Sequence, residues 1–245
     1  MPDQTPPRRA AASASTGPNP GIRRRKAAAA DADATMTEQA YRAIEEAIVT
    51  LALQPGEVVS EAQLSTRSGF GRTPVREALQ RLARERLVRI LPRRGIVVAA
   101  VDIREQLRLL EVRREIERLT ARAAARRADA AQRDRLRAIA EAMTQAGATN
   151  DETGFLRLDR ELNLLLLDAA HNEFAAAAMA LMHGLSRRFW FIHWRRSAGL
   201  PEASAAHAAL ARTIADGTPE EAATASDRLM DYIESFTRAT VGPEP

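Results

Sequence analysis

The chain has 245 residues, no cysteine, 36 basic against 32 acidic side chains and a formal charge of +4. That length suits two domains with a core in each, and the lack of cysteine excludes structural disulfides and cysteine-based metal or nucleophile sites. Residues 1–100 hold 16 basic and 10 acidic side chains while the remainder is slightly acidic, so the positive field points to a polyanionic partner for the N-terminal part.

Residues 1–35 are rich in Pro, Ala, Ser and Thr and show no apolar period, so a disordered tail is expected there, with a second short tail over 241–245. Arg23-Arg24-Arg25-Lys26 either adds affinity for a polyanion by releasing counterions or is a solvated run without a role. From Thr37 to Leu53, Ala40, Ile44, Ala47, Ile48 and Leu51 recur at helical spacing, and Pro55-Gly56 closes the segment. Ser60 is expected to cap a short helix that carries Leu64 inward, and Gly69 and Gly71 break it. Thr73 is expected to cap the next helix with Pro74 in its first position, and Val75, Ala78, Leu79, Leu82 and Ala83 repeat on one face. Two β-favouring runs follow, Leu87 to Leu91 and Ile96 to Val101, joined by Pro92-Arg93-Arg94-Gly95 as a hairpin with a basic tip.

Three helices and a β-hairpin over 36–101 make a winged helix-turn-helix. The outward side of its second short helix holds Arg72, Thr73, Arg76 and Gln80 near the N-terminal end. Such an end enters a major groove, where arginine donates two hydrogen bonds to guanine and the free helix-start amides favour phosphate. Residues 61–98 carry nine arginines against three glutamates, and Arg93 and Arg94 sit at the wing tip. Double-stranded DNA is the expected partner. A solvated helical hairpin in an arginine-rich protein is the competing reading, but it leaves the Gly-x-Arg-Thr-Pro turn and the Arg-Arg-Gly hairpin unexplained.

After the wing, Asp102 is expected to cap a new helix, and helices without strands are expected as far as Thr240. They cover 103–127, 131–146, 151–169, 172–196, 202–216 and 219–239, with breaks at Gly147 to Asn150, Asn172, Gly199 to Pro201 and Gly217 to Pro219. The expected architecture is mainly α: a winged helix-turn-helix and then an all-α six-helix domain over 102–240 closed around a cavity. No apolar run approaches the roughly 20 residues that span a bilayer and no signal-peptide pattern is found, so a cytoplasmic protein without membrane contact is expected.

The run Gly71-Arg72-Thr73-Pro74-Val75-Arg76-Glu77-Ala78-Leu79, with Gln54-Pro55-Gly56 before it and Pro92-Arg93-Arg94-Gly95 after it, resembles the GntR family of bacterial transcription regulators. The resemblance implies base or backbone contacts for Arg72 and Arg76 and a minor-groove approach for Gly95. Ala62 departs from the family, some of whose members carry a DNA-contacting arginine there. The helical order that follows, with Leu110-Glu111-Val112-Arg113 in its first helix, resembles the FCD ligand-binding domain of the FadR subfamily. In many such domains an Asp and three His hold a metal. The matching positions here are Asp159, Asn163, His207 and Leu229, so two of three histidines are missing and only weak divalent-metal binding by Asp159 and His207 is expected. Instead Asp159, Asn163, His207 and Arg113 are expected to bind a small organic effector.

Arg113 has two readings, as an anchor for a ligand carboxylate or as a surface bridge to Glu117. His207 is either a pocket residue or a satisfied core histidine, and His171, His183 and His193 are read as structural. Phe189, Trp190, Phe191, Ile192 and Trp194 surround one helical turn and are assigned to core or dimer contacts. No nucleophile–histidine signature, phosphate loop or singled-out carboxylate pair is present, so catalysis is not expected. The expectation is a homodimeric regulator that binds an operator and responds to an effector. A DNA-binding dimer with no small-molecule response is the alternative.

Overall fold

A computed structural model describes residues 35–193 and 199–240. The N-terminal segment up to residue 34, the run Arg23 to Lys26, Trp194, the expected helix extension to residue 196 and residues 241–245 lie outside the described residues.

Thr35 opens α1 (Met36–Val49) by accepting the Glu38 amide on its side chain at 3.2 Å. Ala40, Tyr41, Ile44 and Ile48 form the buried face that their spacing requires. The helix stops before Leu53 because Leu51 takes a left-handed φ of 62° and the Leu53 amide turns back to the Ala47 carbonyl. Helix α2 (Glu61–Ser68) begins with reciprocal capping between Ser60 and Gln63 and ends at left-handed Gly69. Helix α3 (Arg72–Arg84) starts earlier than the sequence suggests: the Val75 amide bonds to the Gly71 carbonyl, which makes Gly71 the N-cap, with no side-chain cap. Thr73 and Pro74 are therefore the second and third helical residues. Pro74 costs nothing there, since no first-turn amide has an intrahelical partner.

The wing strands are β2 (Val88–Leu91) and β3 (Gly95–Val98), antiparallel with Ile90 opposite Ile96 and Leu91 opposite Gly95. A third strand, β1 (Val58–Val59), pairs with the other edge of β3, giving the order β1-β3-β2. Two residues are too short to show an alternating pattern, so the sequence reading missed β1. Ile48, Leu79, Leu82 and Leu87 are all within 2 % of complete burial. Burying a side chain of this size contributes roughly 1.5–3 kcal/mol. A helix cap contributes about 1 kcal/mol, so packing rather than capping holds this unit together.

The second half is α4 (Ile103–Arg127), α5 (Ala130–Thr149), α6 (Glu152–Ala170), α7 (Glu173–His193), α8 (Leu200–Asp216) and α9 (Pro219–Ala239). Asp102, Asp129, Asp151 and Thr218 each accept an amide in the first turn of the helix they open. Helix α5 packs most extensively on α8, and α9 on α4. Gly147 is not a break: α5 runs through it to Thr149 and stops at left-handed Asn150. A Cβ on Gly147 would lie 2.7 Å from Ser204 Cβ on α8, so the glycine is there for close helix approach.

The winged unit sits on α7. A Cβ on Gly184 would meet Leu87 Cδ1 at 2.7 Å. Arg188 donates to the carbonyls of Ala99 and Ala100 at 2.9 and 3.0 Å, fixing the link between β3 and α4. Gly95 has φ 98°, and an added Cβ would lie 2.9 Å from the Val59 carbonyl oxygen. Gly95→Ala should therefore lower stability by about 1–3 kcal/mol, measured as a fall in the thermal midpoint, with the loss centred on the β1–β3 pairing.

Candidate functional site: a nucleic-acid interface and a helical-domain cavity

The positive stripe on α3 keeps the geometry its spacing implies. Val75, Ala78, Leu79 and Leu82 point into the core, which leaves Arg72, Thr73, Arg76 and Gln80 exposed together. Arg76 is held by Glu61 of α2 through Nε at 3.1 Å and Nη2 at 2.9 Å. That contact fixes the fork of a side chain that is otherwise open to solvent. Arg93, with φ 62°, and Arg94 are exposed at the tip of the wing, and Gly95 begins β3 beside them. Tyr41 donates to Glu85 at 2.8 Å, and Arg81 lies over the Tyr41 ring while pairing with Glu38 and Glu85. This network ties α1 to the far end of α3, so the exposed end is carried on a rigid support.

The second feature is a cavity between α4, α6, α7, α8 and α9, with about 550 Å³ of space free of atoms, part of it open to solvent. Arg113, Asp159, Asn163 and His207 all line it, against a wall that includes Phe155, Trp190 and Phe236. Asp159 Oδ1 lies 3.3 Å from His207 Nε2 and accepts Asn163 Nδ2 at 3.1 Å. Burial opposes the Asp159 charge, but His207, with Arg187 and His183 nearby, outweighs it and holds the carboxyl below its usual range. His207 Nδ1 is 2.7 Å from the Ala203 carbonyl and its ring meets Phe155 edge-on.

Arg113 combines features of both positions open to it. It lines the cavity and also pairs with Glu117, whose Oε1 it reaches from Nε at 2.7 Å. The pair is not on the surface, since each residue is only 6 % exposed. Leu229 is buried beside the same site.

These residues do not fit a tightly held transition metal. His207 offers one nitrogen, the other being committed to a carbonyl; Asn163 is a neutral donor and Leu229 supplies nothing. Among the described residues no group of three or more His, Cys, Asp or Glu could hold a metal ion.

Two further residues belong to the wall, His183 and Arg187. The sequence assigns His183 a structural role because His171, His183 and His193 show no convergent ligand spacing with one another. The only sequence signal was its spacing of one helical turn from Arg187. His171 instead ends α6 in a left-handed conformation, and His193 stacks near Phe189 with ring centres 4.4 Å apart. Trp190 packs on Phe236 at 4.5 Å and Phe155 at 6.0 Å, which agrees with a core assignment for that part of the aromatic run.

An exposed arginine-bearing helix and wing, joined to a helical bundle with a polar cavity, define a DNA-binding transcription regulator of one polypeptide. Residues 36–98 match the model of the bacterial regulatory proteins of the gntR family, and residues 108–232 match the FCD domain. The chain belongs to the GntR family and carries an FCD domain. It is 36 % identical over 137 residues to an HTH-type transcriptional regulator from the TAR-I ttuE-ttuC' intergenic region of Agrobacterium vitis, covering 54 % of this chain and 78 % of that protein. It is likewise 36 % identical over 90 residues to the HTH-type transcriptional repressor RspR of Escherichia coli, covering 37 % of this chain and 40 % of that one. Among solved structures, E. coli McbR/YncC shares the fold with a TM-score of 0.74 at 18 % identity, covering 85 % of this chain and all of that one. These families and relatives are transcription regulators, not enzymes. No helix among the described residues is long and apolar enough to cross a membrane.

Burial, followed by the nearby Arg113 charge, lowers the His183 pKa from 6.5 to about 4. Between those values the unfolded chain takes up a proton that the folded one refuses, so stability should fall as pH drops from 7 to 5, by about 2 kcal/mol from this group alone. Denaturant unfolding at the two pH values should show that loss, and His183→Gln should remove most of it.

Proposed function

We propose that the protein binds an inverted-repeat operator as a homodimer and that a small organic acid in the helical cavity sets its affinity for DNA. In this reading residues 36–101 read DNA, residues 102–240 dimerise and bind the effector, and the protein works in the cytoplasm. The observation that carries the effector half is the polar set Arg113, Asp159, Asn163 and His207 inside a largely apolar wall. A few polar side chains converging on a cavity with apolar walls are the arrangement that orients a small ligand. The DNA half rests on the exposed Arg72, Thr73, Arg76 and Gln80 beside a wing carrying Arg93, Arg94 and Gly95. A single winged helix reads few base pairs, which favours two heads on two half-sites.

A ligand alters operator occupancy only if it binds one arrangement of the heads more tightly than another. Tryptophan occurs only at positions 190 and 194, and Trp190 lines the cavity, so intrinsic fluorescence reports binding directly. Screening small organic acids in this way, with operator binding measured beside it, tests the effector half. An acid that binds yet leaves DNA affinity unchanged would favour a regulator without a small-molecule response. Elemental analysis after dialysis should find no stoichiometric transition metal.

For the DNA half, Arg72→Ala and Arg76→Ala should each weaken binding to a selected operator by about 5- to 150-fold, the range for losing a bidentate base contact. Arg93→Ala or Arg94→Ala should weaken binding evenly across sequences. Unchanged affinity in both the Arg72 and Arg76 variants would overturn the assignment.

A further inference from the structure

Most polar groups in the cavity wall already have partners within the wall. Asp159 is satisfied by His207 and Asn163, and Arg113 by Glu117. Among the described residues of this wall, three buried side-chain atoms have no hydrogen-bond partner: His183 Nε2 and Arg187 Nε and Nη1. Both side chains belong to α7, one turn apart, and both also line the cleft between α1 and the bundle. They form the partition between the cavity and the DNA-binding head.

Arg187 is 9 % exposed; its ion pairs are with the head, and on the cavity side it also acts on the Asp159 carboxylate through space. Nη2 donates to Glu46 at 3.1 Å, and Nη1 stands 3.7 Å from Glu45. Arg160, next to Asp159 on α6, reaches the other oxygen of Glu45 at 3.6 Å. The arginine fork that grips a carboxylate side-on uses Nε and Nη2, as Arg76 does on Glu61 and Arg113 on Glu117. In Arg187 the Nε half of that fork is unused, and the Nη2 half is held by Glu46.

We propose that Arg187, supported by His183, is the seat for the carboxylate of an aryl carboxylic acid, and that seating it takes Arg187 away from Glu46 and so releases the head. This rests on the effector reading above and assigns its anchor and its signal. The ligand carboxylate accepts from Arg187 Nε and Nη2 and from His183 Nε2 as the N–H tautomer, while the ring lies against Phe155, Trp190 and Phe236. Glu46 is half exposed, so water replaces its lost partner at little cost. The buried arginine keeps a full counter-charge throughout. Competition between the ligand and Glu46 for one edge of one side chain makes the coupling reciprocal.

The test uses the full-length protein with benzoate, phenylacetate and 3-phenylpropionate, their primary amides as uncharged controls, and a DNA duplex obtained by binding-site selection with this protein. Calorimetry should show an acid binding the wild type at least about tenfold more tightly than its amide, as expected for a charge-assisted contact. Arg187→Gln should abolish that preference. Glu46→Gln should act in the opposite direction and tighten acid binding several-fold, a change that a merely structural role for Arg187 would not produce. The bound acid should shift operator affinity at least threefold in the wild type and not in Glu46→Gln. If Arg187→Gln does not fold, Arg187→Lys, which keeps the charge and lacks the fork, should lower the acid preference several-fold. If neither acids nor amides bind the wild type, this proposal falls, and the effector reading is decided by the wider organic-acid screen. An acid preference that survives in the Arg187 variant, or acid affinity unchanged by Glu46→Gln, overturns this proposal and leaves the effector reading standing.

Discussion

The structure depends on the burial of two adjacent guanidinium groups on α7. Arg188 is 2 % exposed, and burial pulls its pKa down to about 10. A buried cation must find compensating dipoles or charges, or its desolvation cost would unfold the site. Arg188 finds the carbonyls of Ala99 and Ala100, and Arg187 finds Glu46 and Glu45. All of these partners precede α4. The winged unit therefore satisfies the bundle's own interior, and the two halves separate only where something else supplies the partners it provides.

Much of this was legible from the sequence, for local reasons. The apolar repeat of α3, the Ser60 cap and the glycine at 69 are signals confined to a few residues, and they produced the head. The start of α3 was misread because Thr-Pro is a common helix opening, whereas here the Gly71 carbonyl already accepts the first helical bond. Gly147 misled for a different reason. Glycine in a helix interior looks like a terminus unless a close neighbour demands it, and that neighbour, Ser204, is 57 positions away in the chain.

The cavity shows the same division. Asp159 and Asn163 share a helical face by spacing alone, and His207 was placed with them through family resemblance. The places of His183 and Arg187 in the cavity wall were hidden because α7 is apolar on nearly every side. Its five alanines, two methionines and aromatic run give no stripe from which to tell inside from outside. What decides their direction is the close approach of Gly184 to Leu87, which turns one side of the helix to the head and the next side to the cavity. A contact between distant parts of the chain thus sets the environment of two polar groups that look unremarkable in sequence.

That close approach at Gly184 also bears on how interchangeable the two halves are. A DNA-binding unit grafted onto this bundle would need more than a compatible recognition helix. It would have to bring a leucine-sized side chain to the Leu87 position, acidic residues in place of Glu45 and Glu46, and two unpaired carbonyls at the end of the wing. A graft lacking them would leave a void against bare glycine and two arginines without counterparts. The junction is a lock with several tumblers, and heads and bundles in such regulators are expected to diverge as matched pairs rather than as free modules.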